Sequence, residues 1–199
     1  MSVFIKICGL TEPAAVAAAI NAGADALGFV FATSPRQIAP RAAGMLCREL
    51  PDHIVRVAVM QHPDADAWKR VRDEFWPDWL QTDAEDFATL RLPADCKPMP
   101  VYRDARLREQ PMPERWPPQL LFEGSRSGAG ETADWSLATR IAEKTRLVLA
   151  GGLNSDNVET AIRQVRPWGV DVSSGVETTP GHKNPALIEE FVVRARAAT

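Results

Sequence analysis

"VFIKICGLTEPAAVAAAINAGADALGFVF", residues 3–31, reads as a strand, a helix and a second strand. "VFIKIC" (3–8) is short, apolar and rich in β-branched residues, as a buried strand requires. Thr11 reads as a helix cap, and Pro13 falls in the first turn, where its missing N–H costs nothing. Gly23 ends the helix, and "DALGFVF" (25–31) begins the pattern again. A strand, a crossover helix and a further strand imply a parallel pair.

The same rhythm runs to the end of the chain. Further strands are read at "IVRVAVM" (54–60), "DWLQT" (78–82), "KPMPVYR" (97–103), "QLLFE" (119–123), "RLVLA" (146–150) and "WGVDVS" (168–173). Helical patterns follow at 39–50, 64–75, 84–92, 134–144, 154–165 and 184–197. The stretch "DARLREQPMPERWPP" (104–118) is Pro-rich, so a helix there is expected to be short or absent. Eight such units predict one closed (β/α)₈ barrel, α/β in class, spanning residues 1–199 as a single domain. At 199 residues it would be a minimal one. An open doubly wound sheet is the alternative, but "CGLTEP" lacks the G-x-G-x-x-G turn expected after its first strand.

Composition narrows the function. The net charge of −3 gives no footprint for nucleic acid or an anionic membrane. No apolar run approaches the roughly 20 residues of a membrane span, and no secretory signal is read at the N-terminus. Cys8, Cys47 and Cys96 are odd in number and widely spaced, so a reducing cytoplasm is expected. His53, His62 and His182 show no ligand spacing, and no metal is expected.

Alternation along the first strand turns Ile5 and Ile7 outward to the helices and Lys6 and Cys8 inward. Cys8 ends that strand, at the mouth where barrel enzymes keep their chemistry. An inward Lys is costly without a partner or a task. Asp171, in the eighth strand, also faces inward and is a partner for Lys6 or for a substrate group. Glu123 ends the sixth strand, and Arg36, in "FATSPRQIAP" (31–40), lies just beyond the second, placed to hold a carboxylate. Gly151 and Gly152, with Ser173, Ser174 and Gly175, follow the last two strands, where barrels commonly bind phosphate. Asn154 or Ser155 is read as the cap of the next helix, and Ser173–Gly175 as the start of a short extra one.

These motifs together ("KICGLT", "GADALGFVF", "SPR", "SGAGETADW", "LAGGLNSDNV" and "GVDVSSGVE") resemble the phosphoribosylanthranilate isomerase family of tryptophan biosynthesis. The resemblance implies a (β/α)₈ barrel with a reduced fifth helix. It implies an Amadori rearrangement of N-(5'-phosphoribosyl)anthranilate by general acid–base catalysis, with no cofactor. Cys8 matches the family's base, Arg36 its contact to the anthranilate carboxylate, Asp171 its acidic residue of strand eight, and the two glycine-containing loops its phosphate site. Two positions depart from the family pattern. Glu123 stands where an Asp acid is usual. Asp83 stands where a His follows strand four, and it is expected to pair with Arg126 or Arg103. Lys6 is expected to favour the Cys8 thiolate. Other readings are a neighbouring phosphate-binding barrel enzyme, such as the histidine-pathway aminoaldose isomerase or indoleglycerol-phosphate synthase, and a catalytically silent barrel that only binds a phosphorylated ligand. The expected partner is a small phosphorylated substrate, without nucleic acid or membrane, and a monomer is preferred to a homodimer.

Overall fold

The computed structural model describes residues 2–109, 113–124 and 133–198. Eight parallel strands close into a barrel in chain order: β1 (Phe4–Cys8), β2 (Ala26–Val30), β3 (Val55–Val59), β4 (Trp79–Asp83), β5 (Lys97–Arg103), β6 (Gln119–Glu123), β7 (Arg146–Leu149) and β8 (Gly169–Val172). Strand β1 pairs with both β2 and β8, which completes the ring.

The strands are apolar on both faces because both faces are covered. Their outward side chains, such as Ile5, Ile7, Leu27, Phe29, Leu80 and Leu147, form one core with the surrounding helices. Their inward side chains Ala26, Val57, Trp79, Met99, Val101, Leu121 and Val148 fill the barrel itself. Phe4 stacks on Trp168 at 4.5 Å and on Trp79 at 5.3 Å between ring centroids. That aromatic group belongs to the interior core and lies at the N-terminal end of β1, so the opening is left at the C-terminal ends of the strands.

The helices are α1 (Pro13–Ala22), α2 (Pro40–Leu46), α3 (Ala65–Phe75), α4 (Asp104–Glu109), α5 (Trp135–Ala142), α6 (Val158–Val165) and α7 (Pro185–Ala197). The fifth crossover is indeed reduced: α4 has six residues, and Pro111 and Pro113 follow it in the sequence. Between β4 and β5 the expected helix is one short 3₁₀ segment, Ala84–Ala88. Among the described residues no helix is long and apolar enough to cross a membrane.

Three local expectations are corrected. Helix α1 starts from Glu12 in extended conformation without a side-chain cap, so Thr11 lies one residue too early. Asn154 does not cap α6, whose N-cap is Asn157; its Oδ1 accepts from the N–H groups of Asp156 and Asn157 in a turn just before the helix. No helix opens at Ser173–Gly175. Gly175 instead bridges to Asn154, so close that an added Cβ would lie 2.0 Å from the Leu153 carbonyl oxygen. The loops after β7 and β8 therefore abut, backbone against backbone. Beyond them a small hairpin, β9 (Glu177–Thr179) and β10 (His182–Lys183), was not foreseen.

Candidate active site

Strand register places the first group of side chains. Lys6 is aligned with Asp171 across the β1–β8 pair, and its Nζ donates to Asp171 Oδ1 at 2.7 Å. Both are buried, Lys6 completely. Burial alone would lower the Lys6 pKa, but Asp171 and the Cys8 sulfur outweigh it and the ammonium is favoured. Cys8 lies two residues on, with Gly28 of β2 opposite it. A Cβ on Gly28 would come within 3.1 Å of Cys8 Sγ, Lys6 Cε and Lys6 Nζ. The glycine is thus what leaves room for thiol and ammonium side by side. Burial pushes the Cys8 thiol above its usual range. Lys6 and Lys183 pull it down and Asp171 pushes it up, and the result stays raised. Lys6 therefore acts in the expected direction but does not overcome desolvation.

A second group forms at the ends of β4, β5 and β6. Arg103 is aligned with Glu123 in the β5–β6 ladder. Its Nε stands 3.1 Å from Glu123 Oε1, an ion-pair contact rather than an aligned hydrogen bond. Its Nη1 donates to Asp83, the residue that ends β4. Of the two partners expected for Asp83, Arg103 is thus found, while Arg126 lies outside the described residues. Asp83 also meets His62, whose Nε2 is 3.2 Å away. His62 Nδ1 is 2.9 Å from Asp86, and Asp86 accepts from the Thr82 hydroxyl at 2.5 Å. The Asp86 hydrogen bond, aided by the charges of Asp83 and Glu85, raises the His62 pKa. The ligand atoms of His62, Asp83 and Asp86 lie within 4.8 Å of one another. With a carboxylate at each ring nitrogen, however, the imidazole is arranged as an imidazolium, which has no lone pair for a cation.

A third group surrounds Arg36. Its Nε and Nη2 donate to the two carboxylate oxygens of Glu177 at 2.7 and 2.8 Å, the bidentate geometry that suits a guanidinium. Lys183 Nζ donates to Glu177 Oε1 at 2.7 Å and to the Ser173 carbonyl at 2.8 Å. The Ser173 hydroxyl in turn donates to the Cys8 carbonyl at 3.1 Å. Burial alone would raise the Glu177 pKa, but the bonds from Arg36 and Lys183 hold it below its usual range. Gly9, at φ +78°, passes under Arg36, where a Cβ would lie 2.6 Å from Cδ.

These groups open onto one cavity of about 510 Å³ at the mouth of the barrel. Of the residues read from the sequence, Cys8, Arg36, Asp83, Glu123, Gly151, Gly152, Asp171, Ser173 and Ser174 line it. Lys6 lies beneath the lining, and Gly175 holds the two glycine-containing loops together. Gly151 and Gly152 both take positive φ, +85° and +65°, which brings the backbone itself to the surface of the cavity. Sequence reasoning missed Glu177, Lys183, His62 and Gly28. Glu177 and Gly28 were within reach, since they fall in the quoted motifs "GVDVSSGVE" and "GADALGFVF". Lys183 comes from the two-residue strand β10 and His62 from an irregular loop, both too short to carry a periodic signal.

Residues 5–194 match the family model for N-(5'phosphoribosyl)anthranilate (PRA) isomerase. The N-(5'-phosphoribosyl)anthranilate isomerase of Syntrophomonas wolfei is 39% identical, over 94% of this chain and 95% of the relative. That of Pelobacter propionicus is 36% identical, over 94% and 93%. Among solved structures, TrpF from Jonesia denitrificans superposes with a TM-score of 0.83 at 34% identity, covering 99% of this chain and 98% of that one. A phosphoribosyl anthranilate isomerase in complex with reduced 1-(o-carboxyphenylamino)-1-deoxyribulose 5-phosphate superposes with a TM-score of 0.80 at 30% identity, covering 98% and 99%.

Proposed function

The chain belongs to the N-(5'phosphoribosyl)anthranilate (PRA) isomerase family, and from that premise we propose that Cys8 is its general base and Glu123 its general acid. The reaction is the Amadori rearrangement of N-(5'-phosphoribosyl)anthranilate to 1-(o-carboxyphenylamino)-1-deoxyribulose 5-phosphate, in tryptophan biosynthesis. Glu123 gives its proton to the ribose ring oxygen as the C1'–O bond breaks, leaving an iminium. Cys8 takes the C2' proton, and the resulting enolamine tautomerises to the ketone. Asp171, paired to Lys6, faces the iminium side of the cavity as a negative charge. Gly151, Gly152, Ser173, Ser174 and Gly175 receive the phosphate through backbone N–H groups and hydroxyls. Arg36, oriented by Glu177, receives the anthranilate carboxylate.

The observation that carries this reading is that Cys8 and Glu123 share one cavity although they end strands three steps apart around the ring. A sugar held between the two glycine-containing loops and Arg36 then has an acid and a base available on different sides. Three free cysteines suit a reducing cytoplasm, and we place the enzyme there, as a monomer. The test is optical. Anthranilate fluorescence of the substrate decays when the purified chain is added, and Cys8→Ala and Glu123→Gln each stop the decay while still binding. A shift in emission without decay from the unaltered chain refutes the assignment.

A further inference from the structure

Asp83, Arg103 and Glu123 end three neighbouring strands, β4, β5 and β6, and one guanidinium serves both carboxylates. Strand register sets this up. Asp83 is aligned with Val101 and Glu123 with Arg103. Val101 and Arg103 are two apart and so share the inward face. Glu123 and Asp83 are both buried, at 6% and 4% exposure. Arg103 is therefore the bridge on the cavity's acid side, and His62 closes the row behind Asp83.

This arrangement answers a difficulty in using Glu123 as an acid. A guanidinium 3.1 Å from a carboxyl stabilises the ionised form, whereas a general acid must hold its proton until the substrate takes it. A second carboxylate on the same guanidinium offsets that pull. We propose that Arg103 is a positioning residue for Glu123, and that Asp83 is the counter-charge that keeps Arg103 from stripping Glu123 of its proton. The proposal rests on the reading of Glu123 as general acid. In the ring-opening step the Glu123 O–H bond breaks, an O–H bond forms on the ribose ring oxygen and the C1'–O bond breaks. The negative charge left on Glu123 then faces Arg103, which meets it at the moment it appears. An interaction stronger after proton transfer than before it accelerates the step. The longer side chain of Glu needs such a hold more than a shorter one would, having one more rotatable bond to fix.

The test is a titration of the Glu123 carboxyl by carbon-13 NMR, its signal assigned by its disappearance in Glu123→Gln, alongside steady-state kinetics. Asp83→Asn leaves Arg103 to act on Glu123 alone, and the Glu123 midpoint is expected to fall by about one pH unit. Arg103→Met is expected to raise it by a similar amount and to lower kcat on the order of 100-fold with little change in KM, the cost of misplacing a reacting group. Arg103→Lys, which keeps the charge but not the fork, recovers part of kcat. If Arg103→Met does not fold, Asp83→Asn and Arg103→Lys carry the same comparison. Midpoints that stay put in folded variants, with kcat within about twofold, overturn the inference while Glu123→Gln remains inactive. Normal turnover by Glu123→Gln overturns the acid assignment itself, and this inference with it.

Discussion

On the β1–β8 side of the mouth, Lys6 is sealed within the barrel, and its partner Asp171 and the neighbouring Cys8 are buried in the cavity wall. On the β4–β6 side, Arg103 is 27% exposed at its side chain and His62 is 57% exposed, and both reach in to hold Asp83. The first side is built from consecutive inward positions of strands, with a glycine clearing the space. The second is built from long side chains at strand ends and from a loop. A buried pair is set by strand register and changes little with solvent conditions. A row of long side chains at the rim is set by mutual charge, and it answers to pH and salt. The proposed base, Cys8, therefore sits in a fixed frame and the proposed acid, Glu123, in an adjustable one.

The largest effects test whether both sides serve one reaction. Cys8→Ala and Glu123→Gln are each expected to lower kcat by about 10²–10⁴, the usual contribution of a positioned acid or base. Steady-state turnover followed by fluorescence measures both. A deep loss in one with near-normal turnover in the other would break the pairing and leave a single catalytic side.

The next effect separates the two sides by stability. Lys6→Met leaves Asp171 buried without its ammonium, and loss of one partner of a buried pair costs about 3–5 kcal/mol. Lys6→Met combined with Asp171→Leu is expected to recover much of that stability, because no unpaired charge remains, though not activity. Denaturant midpoints read both. Equal losses for Lys6→Met and for the double variant would mean that Lys6 supports the fold through packing rather than charge.

A third prediction concerns pH. Burial raises the Cys8 thiol, so the limb of kcat/KM that reports the proposed base is expected above the range of an ordinary thiol. Stability moves the opposite way. Cys47 and Cys96 are pushed from the usual 9.0 up to about 12, chiefly by burial. Between about pH 9 and 12 the unfolded chain loses thiol protons that the folded chain retains, so stability falls as pH rises through that window. A Tm series from pH 7 to 11 checks the slope, and Cys47→Ala reduces it.

How far the sequence foretold these two sides follows from how each is built. The strand rhythm, the inward alternation of Lys6 and Cys8 and the facing Asp171 all depend on period two and a closed ring, and both are legible in a linear chain. Arg36 and the glycine-containing loops were legible as positions, but the Glu177 and Lys183 clasp on Arg36 was not, because it depends on the fold of the unforeseen β9–β10 hairpin. On the acid side Glu123 was legible as the end of a strand and Asp83 as the residue just beyond one. That one guanidinium joins them depends on the stagger between β4, β5 and β6, and on rotamers of long side chains. The short 3₁₀ connection after β4 was hidden for a related reason, since the apolar spacing of 84–92 does not by itself distinguish one turn from three.

The smallest effect tests the adjustable side at its outer end. His62 takes φ +44° in the left-handed region, uncommon for a residue with a Cβ, and it is held there by Asp83 and Asp86. Exposed pairs of this kind contribute about 0–1 kcal/mol, so His62→Ala is expected to be mild at neutral pH. Its pH dependence carries the information. The His62 pKa is raised in the folded chain, first by the Asp86 hydrogen bond. Its contribution is then complete below the unfolded value near 6.5 and is lost as pH rises through the folded one. The stability difference between the native chain and His62→Ala should be greatest near pH 5.5 and smaller at pH 9. Thermal melts at the two pH values decide it. A difference that does not vary with pH would show that backbone conformation rather than charge sets the role of His62, and the row from Glu123 outward would then end at Asp83.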